Sequence, residues 1–567
     1  MKPIYFPRLI LPLFCLISLH TPARSETTAS PKLVLQITID QCRGDLPFRY
    51  RDRLCEGGFN YLLNRGTVFR DAHHQHANTE TIVGHTTLST GADPAVHGMI
   101  GNVWLDRTTG ELKYNVEDAD HPILSKNAGV DQSTEIDPTQ KTARSDGRSP
   151  EAILVSTFGD ELAMNHAGKS KVFGVSIKDR GAIAMAGHAG KAFWFSKAIG
   201  EFVTSSYYYN EYPEWVQRWN DRGPTRDFVG KQWNLLQDRD TYLFADRDDQ
   251  PWETDLAGFG RTFPHSFGDL DNKYFTTLLT ISPAGDQMTA DFAMELIERE
   301  ELGEDDVPDY LSISFSSTDY VGHIFGPSSL ESEDQILRLD RLLEQLFQYI
   351  DQKIGLDQTI IVLSADHGGP EAPGYAQEFG IDADYIMPES FDKTAALAKL
   401  KKKFGIGEQL IETYFHPYLY LNQKALRDNQ LNPAEVEAAI CEELMKFEGV
   451  NLAVSSSALV SGDLPQTAII GSVVKNFHPR RSGDIYLVFD PQRFINDFDG
   501  LTVACTHGSP WRYDTFVPLM FAGPGIPATT VNRTVPTVGI APTLSRLLNI
   551  KPPSGTQQGP LTEVLGD

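Results

Sequence analysis

Four segments of the chain are almost continuously apolar and rich in branched residues: 32–39, 172–177, 310–315 and 359–363. Runs of this length and composition are typical of parallel strands that are buried on both faces of a sheet. Between them lie segments such as 334–350, where apolar residues recur every three or four positions, as in an amphipathic helix. The alternation predicts an α/β fold with a doubly wound, mostly parallel sheet.

Two long segments interrupt this alternation. Residues 186–290 are dense in aromatic and charged side chains, and residues 391–490 mix helical and strand-like patterns. We interpret both as insertions that cap the sheet. The predicted division is therefore a core in three parts, over 26–185, 291–390 and 491–567, with an aromatic-rich cap at 186–290 and a second insertion at 391–490.

The N-terminus differs in character from the rest of the chain. Lys2 and Arg8 precede the apolar run 9–19, and residues 23–25 offer a small-x-small cleavage site, which together predict a secretory signal peptide over 1–25. The apolar run is too short to span a bilayer, and an uncleaved anchor is the alternative. We therefore expect a periplasmic or secreted protein with no stable membrane insertion after cleavage of the leader.

The charge of the chain limits its partners. The 567 residues carry a formal net charge of -26, and loss of the leader makes the protein more acidic still. So acidic a surface disfavours nucleic acid and anionic membranes. It also repels anionic substrates, so a phosphate site would need concentrated positive charge of its own. We expect a monomer that acts on small molecules.

Four cysteines lie outside the leader: Cys42, Cys55, Cys441 and Cys505. An even number in an exported chain favours disulfides, and three pairings are possible. Nearness in sequence favours Cys42 with Cys55. The absence of a CxxC motif argues against a structural zinc site.

Polar side chains crowd the end of each predicted strand, and several are potential metal ligands. Asp319 and His323 are four apart and would share one face of a helix, although a surface pairing is the commoner explanation. Asp366 and His367 end a buried strand and are also ambiguous alone. Ligands in open α/β sheets bind beyond the carboxyl ends of strands, so these groups are expected in one crevice, as two mixed nitrogen and oxygen sites suited to zinc. The candidate ligands are Asp40, Asp319, His323, Asp366, His367 and His507.

Thr81 stands at the start of a predicted helix that ends near Thr90. A threonine in this position is usually a simple cap. The same position places backbone N–H groups and the positive end of the helix beside the hydroxyl, which favours an alkoxide and a bound phosphate. A metal ion on that oxygen would lower its pKa further. Thr81 is therefore a candidate nucleophile.

These residues belong to an ordered set of motifs that spans nearly all of the chain after the leader. The motifs are Ile39-Asp40-Gln41, Thr81 followed by Gly84-His85, the segments 97–102 (HGMIGN) and 178–182 (KDRGA), Asp319 with His323, Asp366-His367-Gly368, and the segment 506–510 (THGSP). In them the sequence resembles the alkaline phosphatase superfamily, and specifically its PafA-like phosphate monoesterases.

The resemblance implies a centre of two zinc ions held by seven side chains. The ligands of one ion would be Asp319, His323 and His507. The ligands of the other would be Asp40, Asp366, His367 and Thr81. The implied reaction hydrolyses phosphate monoesters by two in-line displacements, through a covalent phosphothreonine at Thr81.

Three further residues match family positions that grip the phosphoryl oxygens: Asn102, Lys178 and Arg180. Lys178 and Arg180 are two apart after a strand and would project to the same side. Formal charges also favour a monoester. Two zinc ions would contribute four positive charges, and Lys178 and Arg180 contribute two more. Three aspartates and a Thr81 alkoxide contribute four negative charges. The two positive charges that remain would balance a monoester dianion.

Other functions on this scaffold are less consistent with the sequence. A phosphodiesterase or nucleotide pyrophosphatase would share the zinc ligands but is expected to lack the pair Lys178 and Arg180. A sulfatase would need a Cys-x-Pro-x-Arg segment, which the sequence does not contain. An inactive zinc- or phosphate-binding protein is the remote alternative, disfavoured because every catalytic position is filled.

Overall fold

A computed structural model describes residues 1, 30–386, 395–496, 498 and 500–566. The predicted signal peptide thus falls, apart from its first residue, outside the described residues. The strands are β1 Leu33–Ile39, β2 Thr67–His73, β3 Val103–Asp106, β4 Glu111–Tyr114, β5 Val172–Ser176, β6 Lys191–Ser196, β7 Glu201–Val203, β8 Gln232–Trp233, β9 His265–Ser266, β10 Asp309–Phe315, β11 Thr359–Ser364, β12 Asp384–Ile386, β13 Ile411–Phe415, β14 Tyr418–Leu421, β15 Val450–Ser455, β16 Ile485–Phe489, β17 Arg493–Ile495, β18 Phe516–Ala522, β19 Thr529–Val531 and β20 Val535–Pro536.

A large sheet forms the centre of the molecule. Within the described residues its strand order is β19-β2-β18-β11-β1-β10-β5-β6-β7, with β20 beside β2. β1 runs parallel to both β10 and β11, and Ile37 lies between Ile313 and Leu363 in register. β18 is antiparallel to its two neighbours. The mostly parallel α/β sheet predicted from the apolar runs is confirmed.

Helices cover this sheet. Every residue of β1, β10 and β11 is buried, so both faces of the central strands are enclosed. The helices are α1 Leu46–Arg49, α2 Phe59–Arg65, α3 Thr81–Thr90, α4 Pro94–His97, α5 Phe158–Asn165, α6 Asp179–Ala186, α7 Glu214–Arg222, α8 Phe275–Thr280, α9 Pro283–Arg299, α10 Ser317–Phe325, α11 Leu330–Lys353, α12 Pro373–Glu378, α13 Ala395–Phe404, α14 Gln423–Asp428, α15 Pro433–Leu444, α16 Ser456–Ser461, α17 Ala468–Asn476, α18 Arg512–Thr515 and α19 Ile540–Leu547.

The two predicted insertions differ in how they relate to the sheet. The segment 186–290 begins with β6 and β7, which extend the central sheet at its edge, so this part does not belong to a cap. Much of the segment 391–490 folds around a separate sheet of order β13-β14-β16-β15, with its own apolar cluster. The domain boundaries themselves remain a prediction.

The expected disulfides are absent from the part of the chain that the structure describes. Cys42, Cys55, Cys441 and Cys505 are all free thiols, so the pairing of Cys42 with Cys55 was wrong. The two thiols contact different backbone carbonyls: Cys42 Sγ lies 3.9 Å from Arg43 O, and Cys55 Sγ lies 3.5 Å from Asp340 O. In addition, none of the helices described here is both long and apolar enough to cross a membrane.

Candidate active site

The ends of the central strands bring the candidate metal ligands to one place. Asp40 directly follows β1, and Asp366 and His367 follow β11. Asp319 lies in the first turn of α10, immediately after β10. His507 comes from the loop between β17 and α18. The convergence predicted from the strand ends is therefore present.

Asp40, Asp366 and His367 form a completely buried group. His367 Nε2 lies 3.5 Å from Asp40 Oδ1 and 3.4 Å from Asp366 Oδ2. Both oxygens of Asp40, Asp366 Oδ2 and His367 Nε2 have no hydrogen-bond partner among the described residues. Lys178 Nζ approaches Asp40 Oδ2 to 2.8 Å, but outside hydrogen-bonding geometry. Since buried polar atoms almost always have partners, unsatisfied ligand atoms that face one another fit a metal ion.

Asp319, His323 and His507 form the adjoining group. Asp319 Oδ1 lies 3.2 Å from His323 Nε2 and 3.4 Å from His507 Nε2. The rings of His367 and His507 stack with centroids 3.5 Å apart. His367 therefore adjoins both groups. Its ligand atom lies within 4.8 Å of the ligand atoms of Asp319 and His507, and also within 4.8 Å of those of Asp40 and Asp366.

Backbone carbonyls fix the orientation of all three imidazole rings. The Nδ1–H of His323 donates to Cys505 O, and that of His507 donates to Thr79 O, both at 2.8 Å. His367 Nδ1–H donates to Gly368 O at 2.9 Å. A carbonyl only accepts, so each ring carries its proton on Nδ1 and presents a bare Nε2 to the centre. This is the tautomer that a metal ion needs.

The buried carboxyl groups strongly affect one another. Burial, and next the charge of Asp366, raise the pKa of Asp40 well above its usual value. Burial also acts to raise the pKa of Asp366 and of Asp319, but electrostatic interactions, the largest with His367 and with His323 respectively, outweigh burial and hold both pKa values low. Three carboxylates this close need concentrated positive charge, which two divalent cations would supply.

Thr81 lies beside these ligands as the first residue of α3. Its side chain is buried, and its Oγ1 accepts a hydrogen bond from Arg180 Nη2 at 3.4 Å. One turn further, a Cβ on Gly84 would lie only 1.9 Å from the carbonyl oxygen of Asp366. Only glycine allows α3 to pack so closely on the turn that carries Asp366, and this contact sets the position of Thr81.

Lys178 and Arg180 reach the site from the start of α6. Lys178 is the N-cap and Arg180 is the second helical residue. The two residues therefore do not project from a strand, and the interpretation of their spacing as that of a strand was wrong. Arg180 lines the same cavity as Thr81. Lys178 Nζ instead lies between the carboxylates of Asp40 and Asp319 and contacts both.

Asn102 lines the cavity beside Thr81, as expected. The backbone N–H of Ile82 fixes its amide by donating to Oδ1 at 3.2 Å. The backbone N–H of Asn102 donates to Glu80 Oε2 at 2.6 Å, and burial raises the pKa of Glu80 to about 7. Asn102 is thus held against the first turn of α3.

Sequence reasoning missed Asp137, which the structure places in the site. Its Oδ2 lies 2.8 Å from Arg180 Nη1, and its Oδ1 accepts hydrogen bonds from the backbone N–H and the hydroxyl of Thr139, at 2.9 and 2.6 Å. Asp137 sits in a loop with no periodic pattern that would have marked it. With its charge included, the formal excess of positive charge falls from two to one, and charge matching alone no longer favours a dianion.

A cavity of about 570 Å³ opens in front of these residues. Thr81, Asn102 and Arg180 lie on one part of its wall. Another part is aromatic, with residues from the second insertion and from the segment around β17: Tyr414, Phe415, His416, Phe494 and Phe498. A pocket of this size and composition suits a small molecule with an apolar part.

Comparison with known proteins identifies the family. A family model described as type I phosphodiesterase / nucleotide pyrophosphatase matches residues 34–510. The alkaline phosphatase PafA of Elizabethkingia meningoseptica is 34% identical over 96% of this chain and 96% of that protein. The chain belongs to the type I phosphodiesterase / nucleotide pyrophosphatase family, and within it to the PafA-like alkaline phosphatases.

Other relatives agree over comparable lengths. Alkaline phosphatase PhoV of Synechococcus elongatus is 33% identical, with 95% of this chain and 94% of that protein covered. A protein of Myroides odoratus named calcium-transporting ATPase is 33% identical, with 99% of each covered. The crystal structure of wild-type PafA matches with a TM-score of 0.85 and 33% identity, over 95% of this chain and 99% of that chain.

Membership of the PafA-like alkaline phosphatases makes the chain a phosphatase. It also confirms the resemblance on which the sequence motifs were interpreted. The two groups of metal-ligand side chains lie within residues 34–510, which the family model matches, and they are the candidate cofactor site of this enzyme.

Proposed function

We propose that the protein hydrolyses phosphate monoesters with two zinc ions, through a covalent phosphothreonine at Thr81. The observation that carries this proposal is the buried set of facing, unsatisfied ligand atoms on Asp40, Asp366 and His367, next to Asp319. Thr81 opens into the cavity that also exposes Asp319 and its neighbouring histidines. The alkaline phosphatase relatives support the same reaction.

The donor set favours zinc over other divalent ions. The candidate ligands are imidazole nitrogens and carboxylate oxygens, a mixture that suits zinc and disfavours calcium or magnesium, which prefer oxygen alone. Two zinc ions, when bound, would act as Lewis acids that lower the pKa of the Thr81 hydroxyl and stabilise the oxygen of the leaving group.

The side chains of the site have complementary tasks in this reaction. Thr81 Oγ1 attacks phosphorus from the N-terminus of α3, where the free N–H groups of the helix favour negative charge. The guanidinium of Arg180 and the amide of Asn102 hold the equatorial oxygens of the transferred phosphoryl group. Lys178 neutralises part of the negative charge of Asp40 and Asp319 and keeps the site positive enough for phosphate.

The number of phosphoryl contacts distinguishes a monoester from a diester. A monoester presents three unesterified oxygens, whereas a diester presents two and must place a second ester group. Arg180 and Asn102 both line the cavity beside Thr81 and offer donors for the unesterified oxygens. The preference for monoesters therefore depends on these donors and on the relatives, and no longer on the balance of formal charges.

Phosphodiester hydrolysis is the second candidate, because the matching family model is described as type I phosphodiesterase / nucleotide pyrophosphatase. The direct comparison is between nitrophenyl phosphate and bis-nitrophenyl phosphate with the purified protein. We expect a higher kcat/KM for the monoester. A preference for the bis-ester would reject phosphomonoester hydrolysis as the main activity.

Replacing Arg180 by Ala should separate the two activities. The substitution removes a buried donor aimed at the reacting phosphoryl group, so kcat/KM for the monoester should fall by about 10²- to 10³-fold. The loss for the bis-ester should be much smaller, because it offers one fewer oxygen. Lys178→Ala should instead lower kcat/KM for both substrates, because Lys178 contacts Asp40 and Asp319 and does not line the cavity.

An exposed arginine provides the control for this series. Arg218, which pairs with Glu214 on the surface of α7, can be changed to Ala without touching the cavity. Equal losses for monoester and bis-ester in Arg180→Ala would contradict the proposed role of the guanidinium.

We also propose a periplasmic or secreted location and a monomeric state. The leader-like sequence over 1–25 supports export. The four cysteines outside the leader are free thiols and mostly buried, and free thiols need no oxidising compartment. These cysteines therefore give no evidence for or against export. Small-molecule phosphate monoesters are the proposed substrates, in keeping with the size of the cavity.

A further inference from the structure

Gln41 occupies a backbone position that glutamine rarely takes. A turn follows β1, closed by a hydrogen bond from Cys42 N to Ile39 O at 3.2 Å, and Gln41 is its third residue with φ 61°. A positive φ at this position of a turn favours glycine or asparagine. A non-glycine residue held there strains the backbone, and such residues cluster at functional sites.

The turn gives Gln41 contacts with carboxylates of both metal-ligand groups. Its backbone N–H donates to Asp366 Oδ1 at 3.2 Å. Its side-chain amide Nε2 donates to Asp319 Oδ1 at 3.0 Å. The side chain of Gln41 is buried and does not line the cavity, whereas Asp319 does.

Two glycines make room for the amide of Gln41. A Cβ on Gly322, in α10 between Asp319 and His323, would lie 1.9 Å from Gln41 Oε1. A Cβ on Gly369 would lie 3.1 Å from Gln41 Cδ. Any larger residue at 322 would expel the amide, so the packing of this part of α10 is matched to a side chain from the turn after β1.

These contacts restrain the orientation of both carboxylates. Asp366 Oδ1 accepts from the backbone N–H groups of Gln41 and His367, which leaves Oδ2 to face His367 Nε2. Asp319 is held from two sides, with Oδ1 on the Gln41 amide and Oδ2 on Lys178 Nζ. The conformation of each ligand is thus fixed before any ion arrives.

We propose that Gln41 is a positioning residue that couples the two metal-ligand groups by holding Asp319 and Asp366 at once. The proposal rests on the proposed two-metal function. The side-chain amide of Gln41 holds Asp319, and the backbone N–H of Gln41 holds Asp366. A change of the side chain should therefore loosen only the group that contains Asp319. Partners of this kind typically change metal affinity by about 10- to 100-fold when removed.

Two variants separate the hydrogen bond from mere space filling. Gln41→Met keeps the length of the side chain and removes the amide. Gln41→Gly removes the side chain and suits the positive φ, so it should fold at least as readily as the parent chain. Gln430→Gly is the matched control, because Gln430 has φ 54° but lies exposed on the second insertion.

The measurement is a titration of each metal-stripped protein with zinc against a chromophoric chelator. The parent chain and Gln430→Gly should bind two ions with unchanged affinities. Gln41→Met and Gln41→Gly should each weaken one of the two binding steps by about 10- to 100-fold and leave the other within a few-fold.

Two results would overturn the proposal in distinguishable ways. If the parent chain and Gln41→Met bind two ions equally well, Gln41 only fills space, while the two-metal function stands. If the parent chain binds no zinc, the two-metal function fails and the role of Gln41 fails with it.

Discussion

Stripping the purified protein of divalent metal with a chelator should reduce hydrolysis of nitrophenyl phosphate by on the order of 10³-fold or more, since Lewis-acid stabilisation is worth several kcal/mol and each 1.4 kcal/mol is a factor of ten. The ligand atoms of Asp40, Asp366 and His367 lie buried without hydrogen-bond partners in the described chain. Without cations the ammonium of Lys178 must balance both Asp40 and Asp319, so the melting temperature should fall as well.

The chelation experiment needs metal analysis and reconstitution to be decisive. Added zinc should restore both the rate and the melting temperature, with two ions bound per chain. Asp366→Asn should bind less metal than the parent even after reconstitution. Full activity in a sample shown by elemental analysis to contain no metal would contradict the two-metal mechanism.

Replacing Thr81 by Ala should have a similarly large effect, lowering kcat by roughly 10⁴-fold or more, as loss of a nucleophile does in other covalent hydrolases. The Thr81 side chain is buried at the start of α3, and its hydroxyl accepts from Arg180. Alanine also suits a helix, so the variant should fold, and the carboxylate and histidine ligands remain to bind metal. Steady-state kinetics together with metal content will separate loss of the nucleophile from loss of the site.

Thr81→Ser is the matched variant for this test. It keeps the attacking oxygen and removes only a methyl group, so it should retain most of the activity. If Thr81→Ala retained more than about a tenth of the parental kcat, water would be the attacking group and no covalent step would be required.

The convergence of the candidate metal ligands was predictable because the carboxyl ends of parallel strands lie at one edge of a sheet. The apolar run that forms β1 ends on Asp40, and the run that forms β11 is followed by Asp366 and His367. These polar residues stand where fully buried strands end, which is the strongest local signal in the sequence. Family motifs then indicated Thr81 and Asn102, whose surroundings depend on how α3 packs.

The remaining features depend on tertiary contacts that no local pattern encodes. Asp137 belongs to an irregular loop, and only the fold brings it to Arg180. The positive φ of Gln41 follows from a turn that is closed by its neighbours and from the room left by Gly322. Likewise, an even number of cysteines says nothing of whether two thiols meet.

The most direct test of the central claim is to trap the phosphorylated enzyme. Metal-loaded protein mixed with radiolabelled phosphate monoester and quenched in acid during turnover should carry label, and mass spectrometry should place the phosphate on Thr81. Label on a different side chain, or turnover at full rate with no labelled protein at any time, would show that this threonine oxygen does not attack phosphorus.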